Sequence, residues 1–256
     1  MKTDGELTRQ PLLEYHGIRG EIVTHRVLGF PANALALHLP EPRRSLGGQQ
    51  GYKKLEAICN CHLPKPLLED LDERQRDWKA YFRETARTLF GRDLPPHRLA
   101  VLSTGVNMKD LAWTTEVYEE LWVLALVTAG VETNALRIGR DRAGAIERSG
   151  RFERAGTIAT IVLTNANLTT AALAASFITI TEAKGIALEE LDIRSVYTPE
   201  LRATGTDTDQ VLVVSGDGEK CSFAGGHTKL GELMARAVTR ATLAAIKNTL
   251  TAGKRV

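Results

Sequence analysis

The sequence lacks the cysteines that a disulfide-stapled secreted protein needs. It has three cysteines in 256 residues, an odd number, and no apolar segment follows the opening residues 1–5. A disulfide framework pairs its cysteines, so an odd number argues against one. A secretory signal needs an apolar stretch, so its absence argues against secretion. We therefore expect a cytoplasmic protein with reduced thiols.

The sequence also lacks long apolar runs and an excess of one charge. Its 33 basic and 31 acidic residues are mixed along the chain and give a net charge of +2, without the basic face that nucleic acid or an anionic membrane would need. The most apolar segment, 168–180, is interrupted by threonines and soon followed by Glu182 and Lys184. We expect a soluble protein with neither a nucleic-acid nor a membrane partner.

Several functional motifs are missing as well. The chain has no tandem repeat, no low-complexity linker and no glycine-rich P-loop pattern. Cys59-Asn60-Cys61-His62 contains zinc-ligand types, but no second pair completes four ligands and Cys221 is far away in the sequence. We interpret these cysteines as structural and retain Asn60 as the residue of interest.

Helix and strand patterns alternate along the chain. They predict an α/β or α+β fold in which residues 1–256 form a single domain with a mixed sheet and flanking helices, and 1–40 are a strand-rich extension of that domain. The predicted strands are 20–28, 32–39, 98–104, 111–117, 121–128, 156–163 and 206–214. The predicted helices are a segment around Tyr52 to Ile58 after a basic loop at 41–48, then 66–90 ended by Gly91, 168–191 capped by Asn167, and one that begins after Thr228.

The densest chemistry lies in residues 202–231. If 206–214 is extended, Asp207 and Asp209 share one face of the strand, and the apolar residues 211–214 make that strand buried on both sides. Two close carboxylates need a metal, a cation or a shared proton. Further on, His227 precedes a helix that Thr228 can cap, and the positive end of the helix favours a neutral imidazole able to accept a proton or bind a metal.

Two other segments are candidates for ligand contact. Asn134 follows the apolar strand 121–128, and ligands bind preferentially in loops at the carboxyl ends of buried strands. Residues 139–156 are charged and rich in glycine, which is typical of either a mobile lid or plain surface.

Five segments, taken together and in this order, resemble the adenosylcobinamide amidohydrolase family. The similarity runs from about Ser45, with Asn60 included, to the C-terminal helix. In this chain Ala159 stands where the pattern has asparagine, and Arg140 is an additional arginine. The segments are Thr128-Ala129-Gly130 with Asn134, Gly156-Thr157-Ile158, Thr181 to Lys184, Ala203 to Asp209, and Gly226 to Glu232.

The resemblance implies hydrolysis of the amide that joins the aminopropanol arm to a corrin-ring propionate, which converts adenosylcobinamide to adenosylcobyric acid in corrinoid salvage. The ligand would be a corrinoid small molecule. The residues that we predict to bind it are Asn60, Asn134, Thr157, Glu182, Lys184, Thr204, Thr206 and Gly226.

Catalytic roles follow from the chemistry of amide hydrolysis, which needs a nucleophile, an oxyanion stabiliser and an acid for the leaving amine. Our hypothesis is that His227, oriented by Asp207 or Asp209, activates water, while N–H groups around Gly225 and Gly226 hold the oxyanion. One variant has His227 and the two aspartates hold a divalent metal. Another uses a threonine hydroxyl as nucleophile with Lys184 or His227 as base.

The alternative hypothesis is that the protein is a non-catalytic corrinoid carrier or sensor. The same polar loops would then bind the amides of the ring, and His227 would serve as a cobalt ligand. No cofactor is certain from the sequence, although a divalent metal remains an option. A homodimer is the common default for the oligomeric state.

Overall fold

A curled, mixed sheet of nine strands dominates the computed structural model, which describes residues 7–73, 78–142 and 157–253. With helices on its outer faces, it confirms the predicted mixed α/β fold. The strands of this sheet are β1 (Thr8–Tyr15), β2 (Ile18–Val27), β3 (Phe30–Gly47), β4 (Gly51–His62), β5 (Leu99–Thr104), β6 (Ala112–Tyr118), β7 (Leu121–Ala129), β9 (Ile158–Thr164) and β12 (Gln210–Val214). Four two-residue strands form separate pairs: β8 (Ala135–Leu136) with β11 (Gly205–Thr206), and β10 (Asn167–Leu168) with β13 (Lys220–Cys221).

The sheet curls because β3 is long enough to pair with different strands along its length. Its order is β1-β2-β3-β12-β9-β7-β6, with β4 pairing to both β3 and β5. The first part of β3 lies between β2 and β4, and its last part, residues 45–47, lies between β4 and β12. The pairs β12–β9 and β4–β5 are parallel, and the remaining pairs are antiparallel.

The backbone carbonyls on the unpaired edge of β5 accept hydrogen bonds from side chains instead of from a neighbouring strand. Three alternate carbonyls of this strand accept hydrogen bonds: Leu99 from Lys53 Nζ at 3.0 Å, Val101 from Gln50 Nε2 at 2.7 Å, and Ser103 from Gln210 Nε2 at 2.8 Å. Unpaired edge carbonyls would otherwise need water or another strand. The bond from Gln210 brings β5 against the start of β12.

The sheet separates two large apolar cores. Alternate residues of β7 point to opposite faces, so Val123 and Val127 pack toward the helices whereas Leu124 and Leu126 fill the inside of the curl. The outer core packs against α3 (Thr170–Glu190) and α4 (Lys229–Gly253), and the opposite outer face of the sheet carries α1 (Lys65–Glu73) and α2 (Trp78–Phe90). A short 3-10 helix spans Met108–Asp110.

Within the described residues, α3 is the helix long and apolar enough to cross a membrane by length and composition. Half of its most apolar window is buried inside the fold, where it packs against α4 and the sheet. A core helix of this kind meets the same criteria as a membrane span. The apolar character of α3 is therefore explained by its place between the sheet and solvent.

Most predicted elements appear, including the 20–39 hairpin, the strands 98–104, 111–117 and 121–128, the strand predicted at 156–163, which begins at Ile158, and the final helix. Three predictions were wrong. The segment around Tyr52 to Ile58 is strand β4, because residues 57–61 are buried on both faces and therefore show no two-residue alternation. The basic segment 41–48 is mostly the second half of β3. Thr169 rather than Asn167 caps α3, its hydroxyl accepting from the Ala172 N–H. The predicted helix 66–90 appears as α1 and α2, and residues 74–77 between them lie outside the described chain.

Candidate functional site

Polar side chains gather where β9 and β12 begin and β7 ends. Because β9 runs parallel to β12 and antiparallel to β7, the starts of the first two strands lie beside the end of the third. The pair β11–β8 and the turn before β12 lie at this edge. We call this group the amino-end cluster: Asn60, Thr128, Asn134, Thr157, Lys184, Thr206, Asp209 and Gln210.

A lysine from α3 meets an aspartate from the turn. Lys184 is 7% exposed, and its Nζ is in direct contact with Asp209 Oδ2. Both lie in the outer layer. Lys184 belongs to α3, and Asp209 directly precedes Gln210, whose side chain faces the inside of the curl, so the Asp209 side chain faces α3. The helix therefore supplies the cation that we predicted the aspartates would need, although to Asp209 alone.

The second carboxylate oxygen of Asp209 is also occupied. Asp209 Oδ1 accepts from the Thr206 N–H at 3.1 Å, from the Thr206 hydroxyl, and from the Ile158 N–H at 3.3 Å. The Ile158 N–H also reaches Thr206 Oγ1 at 3.2 Å. Asp209 thus joins the start of β9, the β11 strand and α3 in one hydrogen-bonded unit.

Gly205 leaves room for the close approach of this ion pair to the backbone. A Cβ at position 205 would collide with Asp209 Oδ2 and lie 2.8 Å from Lys184 Nζ. Real Cβ atoms essentially never come that close to other heavy atoms. Glycine at this position lets the lysine and the aspartate pack against the backbone that precedes Thr206.

A polar row crosses the inner face of the sheet at the same level. Thr128 and Gln210 both pair with Ala159, so these three side chains point to one side in adjacent strands. Asn60 Nδ2 donates to Thr128 Oγ1 at 3.0 Å, whereas its Oδ1 and Gln210 Oε1 are buried and bond to none of the described residues. The row therefore presents two buried carbonyl oxygens without a partner in the described chain.

Asn134 is the most unusual polar residue of the cluster. It is 4% exposed, and neither Oδ1 nor Nδ2 bonds to any residue that the structure describes. Its backbone carbonyl accepts from the Asp207 N–H at 3.3 Å, and the next residue, Ala135, pairs with Thr206. Since a buried amide without partners costs free energy, Asn134 is a strong candidate for ligand contact.

Thr157 and Thr204 tie the cluster to neighbouring backbone. Thr157 is buried and its hydroxyl donates to the Thr208 carbonyl. Thr204 Oγ1 accepts from the Ile138 N–H at 3.0 Å. Both hydroxyls have backbone partners, which indicates that they position the loops around the cluster.

The interpretation that Asp207 and Asp209 share one face of a strand was wrong. Residues 207–208 form a turn between β11 and β12, which breaks the two-residue alternation. Asp207 is exposed and accepts from the Tyr197 hydroxyl at 2.7 Å. The two carboxylates therefore have separate partners and do not need to share a proton or a metal.

The segment that carries Tyr197 is anchored by Asp141. Burial tends to raise the pKa of Asp141, but hydrogen bonds from the Ser195 and Thr198 hydroxyls and the Arg137 N–H hold it below the ordinary value. The anchored loops expose Ile138, Val196 and Tyr197 at the rim of the cluster. Residues 143–156, the rest of the predicted lid, lie outside the described residues.

His227 lies at the other end of the sheet. It is exposed, and its ring is 6.0 Å from the Phe223 ring. Lys229, at the start of α4, sits 4.6 Å from the ring of Tyr118, beside the β6–β7 turn, where Val123 pairs with Thr164 at the end of β9. His227 is therefore near the carboxyl end of β9, whereas Asp209 precedes the amino end of the adjacent β12, whose five residues span about 13 Å.

The predicted pairing of His227 with either aspartate is thus not formed in this structure. Thr228 does cap α4, since its Oγ1 accepts from the Gly231 N–H at 3.0 Å. Gly226 accompanies His227 in the exposed loop, and Glu182 lies on the exposed face of α3. His227, Gly226 and Glu182 therefore do not belong to the amino-end cluster.

The metal variant that used His227 with both aspartates is likewise not assembled. Residues 7–73, 78–142 and 157–253 contain no group of three histidine, cysteine or acidic side chains placed to hold a metal. Cys59 and Cys61 are buried free thiols beside each other in β4. The pKa of Cys59 is raised by its hydrogen bond with Cys61 and by burial, as for an inert structural thiol.

A model of the adenosylcobinamide amidohydrolase family matches residues 19–254. The chain belongs to the adenosylcobinamide amidohydrolase family. It is 38% identical over 223 residues to the uncharacterized protein MJ1613 of Methanocaldococcus jannaschii, with 83% of this chain and 85% of the relative covered. It is 29% identical over 213 residues to the adenosylcobinamide amidohydrolase of Methanosarcina mazei, with 79% and 88% covered. The predicted family resemblance is confirmed.

Among solved structures, the crystal structure of the PH0078 protein from Pyrococcus horikoshii OT3 is similar at a TM-score of 0.43. The two sequences are 11% identical, and the match covers 94% of this chain and 84% of the other.

The segments that carried the family resemblance divide between the two ends of the sheet. Asn60, Asn134, Thr157, Lys184 and Thr206 meet in the amino-end cluster, although they are spread over some 150 positions of the sequence. The segment from Gly226 lies at the opposite end. In this member of the adenosylcobinamide amidohydrolase family, sequence reasoning missed Gln210. The residue gives no functional signal in the sequence, because it is a single polar residue before the apolar residues 211–214.

Proposed function

We propose that this protein hydrolyses the aminopropanol amide of adenosylcobinamide to give adenosylcobyric acid, a step in corrinoid salvage. Membership of the adenosylcobinamide amidohydrolase family over nearly the whole chain is the observation that carries this proposal. The relative from Methanosarcina mazei bears the name of that activity. We place the reaction at the amino-end cluster.

The free polar atoms of the cluster suit an amide ligand. Asn134 offers an N–H donor and a carbonyl acceptor that have no partner in the described chain, so one amide side chain can bind both the carbonyl and the N–H of a substrate amide. Asn60 Oδ1 and Gln210 Oε1 are further acceptors without a partner in the described chain, on the inner face of the sheet. A carboxylate product has no N–H to donate to these oxygens, which favours its release.

The rim of the cluster suits a large amphipathic ring. Ile138 is 76% exposed, and Val196 and Tyr197 lie beside it on loops bonded to β8 and β11. Exposed apolar side chains next to a polar site are typical of ligand-binding surfaces. We expect the corrin ring to rest against these residues while the aminopropanol arm enters the cluster.

The first experiment is to incubate the purified protein with adenosylcobinamide, with and without a chelator, and to follow adenosylcobyric acid and aminopropanol by mass spectrometry. We expect both products in equal amounts. Product formed only without the chelator would show that a divalent ion takes part.

The competing function is a corrinoid carrier or sensor without catalysis. A shift of the corrinoid absorption spectrum on mixing, with no aminopropanol released over hours, would contradict hydrolysis and support the carrier. Omitting the protein and substituting adenosylcobyric acid for the substrate provide the two matched controls.

A further inference from the structure

We infer that Thr206 is the nucleophile of this hydrolysis and that the reaction passes through an acyl-enzyme ester. This inference rests on the proposed function. The hydroxyl of Thr206 is hydrogen-bonded to Asp209 Oδ1, whose other oxygen contacts Lys184. A hydroxyl is a weak nucleophile unless a neighbouring group can take its proton as the new bond forms.

The hydrogen-bond pattern orients the Thr206 oxygen for attack. Its hydrogen points to Asp209 and one lone pair accepts from the Ile158 N–H at 3.2 Å. A hydroxyl oxygen has two lone pairs, so one remains for an electrophilic carbon. The hydroxyl of Thr206 is thereby held by two partners, one in the turn before β12 and one at the start of β9.

The other threonines of the cluster lack this arrangement. The Thr157 hydroxyl donates to a backbone carbonyl, and Thr128 Oγ1 accepts from Asn60. A backbone carbonyl cannot take up a proton at neutral pH. Within the amino-end cluster, Thr206 therefore has the hydroxyl with a carboxylate to receive its proton.

Asn134 supplies the matching oxyanion contact. Residue 135 pairs with Thr206 across β8 and β11, and the Asn134 carbonyl accepts from the Asp207 N–H at 3.3 Å, so the backbone of Asn134 adjoins the proposed nucleophile. Its buried Nδ2 group has no acceptor among the described residues. A preorganised donor of this kind stabilises the tetrahedral oxyanion that forms when a hydroxyl attacks an amide.

The reaction balances in two steps. Thr206 Oγ1 forms a bond to the amide carbon, its proton passes through Asp209 to the amide nitrogen, and the C–N bond breaks to release neutral aminopropanol. Water then adds to the ester carbon, its proton returns through Asp209 to Thr206 Oγ1, and the C–O bond breaks to release the acid. Lys184 keeps Asp209 in place between the steps.

Substitutions at position 206 provide the first test. Thr206→Val keeps the shape but removes the hydroxyl, and we expect turnover to fall about a thousandfold or more. Thr206→Ser should retain activity within about tenfold, since it keeps the hydroxyl. Thr249→Val, the same change on α4, is the control. A Thr206→Val enzyme with more than a tenth of wild-type turnover would overturn the inference while leaving the proposed function intact.

A partition experiment separates a nucleophile from a residue that only holds Asp209. Hydroxylamine would compete with water for the acyl-enzyme and give a hydroxamate of cobyric acid. With two substrates that differ only in the leaving amine, a common ester predicts the same ratio of hydroxamate to acid. Different ratios, or no hydroxamate, would show direct attack of water and overturn the inference. If neither substrate is hydrolysed at all, the proposed function itself fails.

Discussion

Lys184 of α3 and Asp209 of the turn before β12 form an ion pair that is shielded from solvent on both sides. Their side chains are 9% and 19% exposed, and the carboxylate also receives hydrogen bonds from Thr206 and Ile158. Such a pair holds the helix, the turn and the first residue of β9 in a fixed relation. Its removal therefore affects both the fold and the site.

We expect Lys184→Met to lower the free energy of unfolding by about 3 kcal/mol or more, because it leaves a largely buried carboxylate without its cation. Chemical denaturation at neutral pH measures this. The matched control is Lys229→Met, which breaks the exposed pair with Glu232 and should cost less than about 1 kcal/mol. Equal losses in the two variants would contradict the structural importance of the buried pair.

Two glycines beside this ion pair, Gly205 and Gly185, should respond to alanine substitution in opposite ways. Gly205→Ala forces a methyl group into Asp209 and Lys184, so we expect lower stability and loss of hydrolysis. Gly185→Ala adds a methyl into open space within α3 and should raise stability by up to about 1 kcal/mol. Melting temperatures and turnover of both variants are compared. A Gly205→Ala protein as stable and active as wild type would show that the pair can shift without consequence.

Asn134 should show a conflict between stability and function. Replacing it by Leu removes two buried polar atoms that have no partner in the described chain, so we expect stability to be kept or raised while substrate binding weakens about tenfold or more. Asn33→Leu is the matched change, because Asn33 donates to Asn107 and accepts from the Met108 N–H and should therefore lose stability. Denaturation midpoints measure the change in stability, and KM measures the change in substrate binding. Strong destabilisation by Asn134→Leu would indicate a structural role instead.

The strands and long helices were largely predictable because their apolar patterns are local. Residues 121–127 are continuously apolar, residues 158–163 are apolar except for Thr160, and both became central strands. The error at β4 arose where burial on both faces removed the periodicity. Curling of the sheet could not be predicted, since it depends on the single long strand β3 changing neighbours.

The site was predictable in its residue types but not in its grouping. Asn134 could be found from its place after a buried strand, and Asn60, Lys184 and Thr206 from the family pattern. The sequence also placed His227 only 18 positions after Asp209, which favoured pairing them. In the fold, strand β12 and the loop after it carry the chain to the opposite end of the sheet, whereas Lys184, 25 positions before Asp209, returns to it along α3.

A buried histidine, His25, and a half-buried one, His62, predict a loss of stability in mild acid. Burial lowers the pKa of His25 and of His62 below the ordinary value of 6.5. Below pH 6.5 the unfolded chain therefore binds protons that the folded chain does not, and stability falls as pH falls, by at most about 1.4 kcal/mol per pH unit for each proton. The fall ends at the lowered pKa of the folded state.

Urea midpoints at pH 7.5 and 5.5 test this expectation. The His25→Leu and His62→Leu variants should each lose part of the difference between the two midpoints, whereas His97→Leu, which changes an exposed ring, should leave it unchanged. A wild-type midpoint that is the same at both pH values would contradict the prediction.

Substitution of His227 distinguishes the two ends of the sheet as places for the chemistry. Because the exposed His227 lies near the carboxyl end of β9 and the amino-end cluster lies at the other, we expect His227→Ala to keep kcat within about tenfold of wild type. Steady-state kinetics with adenosylcobinamide provide the measurement, with Thr206→Val assayed in parallel. A general base typically contributes a factor of about 10² to 10⁴. A loss of that size in His227→Ala, with Thr206→Val active, would move the reaction to the carboxyl end and restore the histidine as the base.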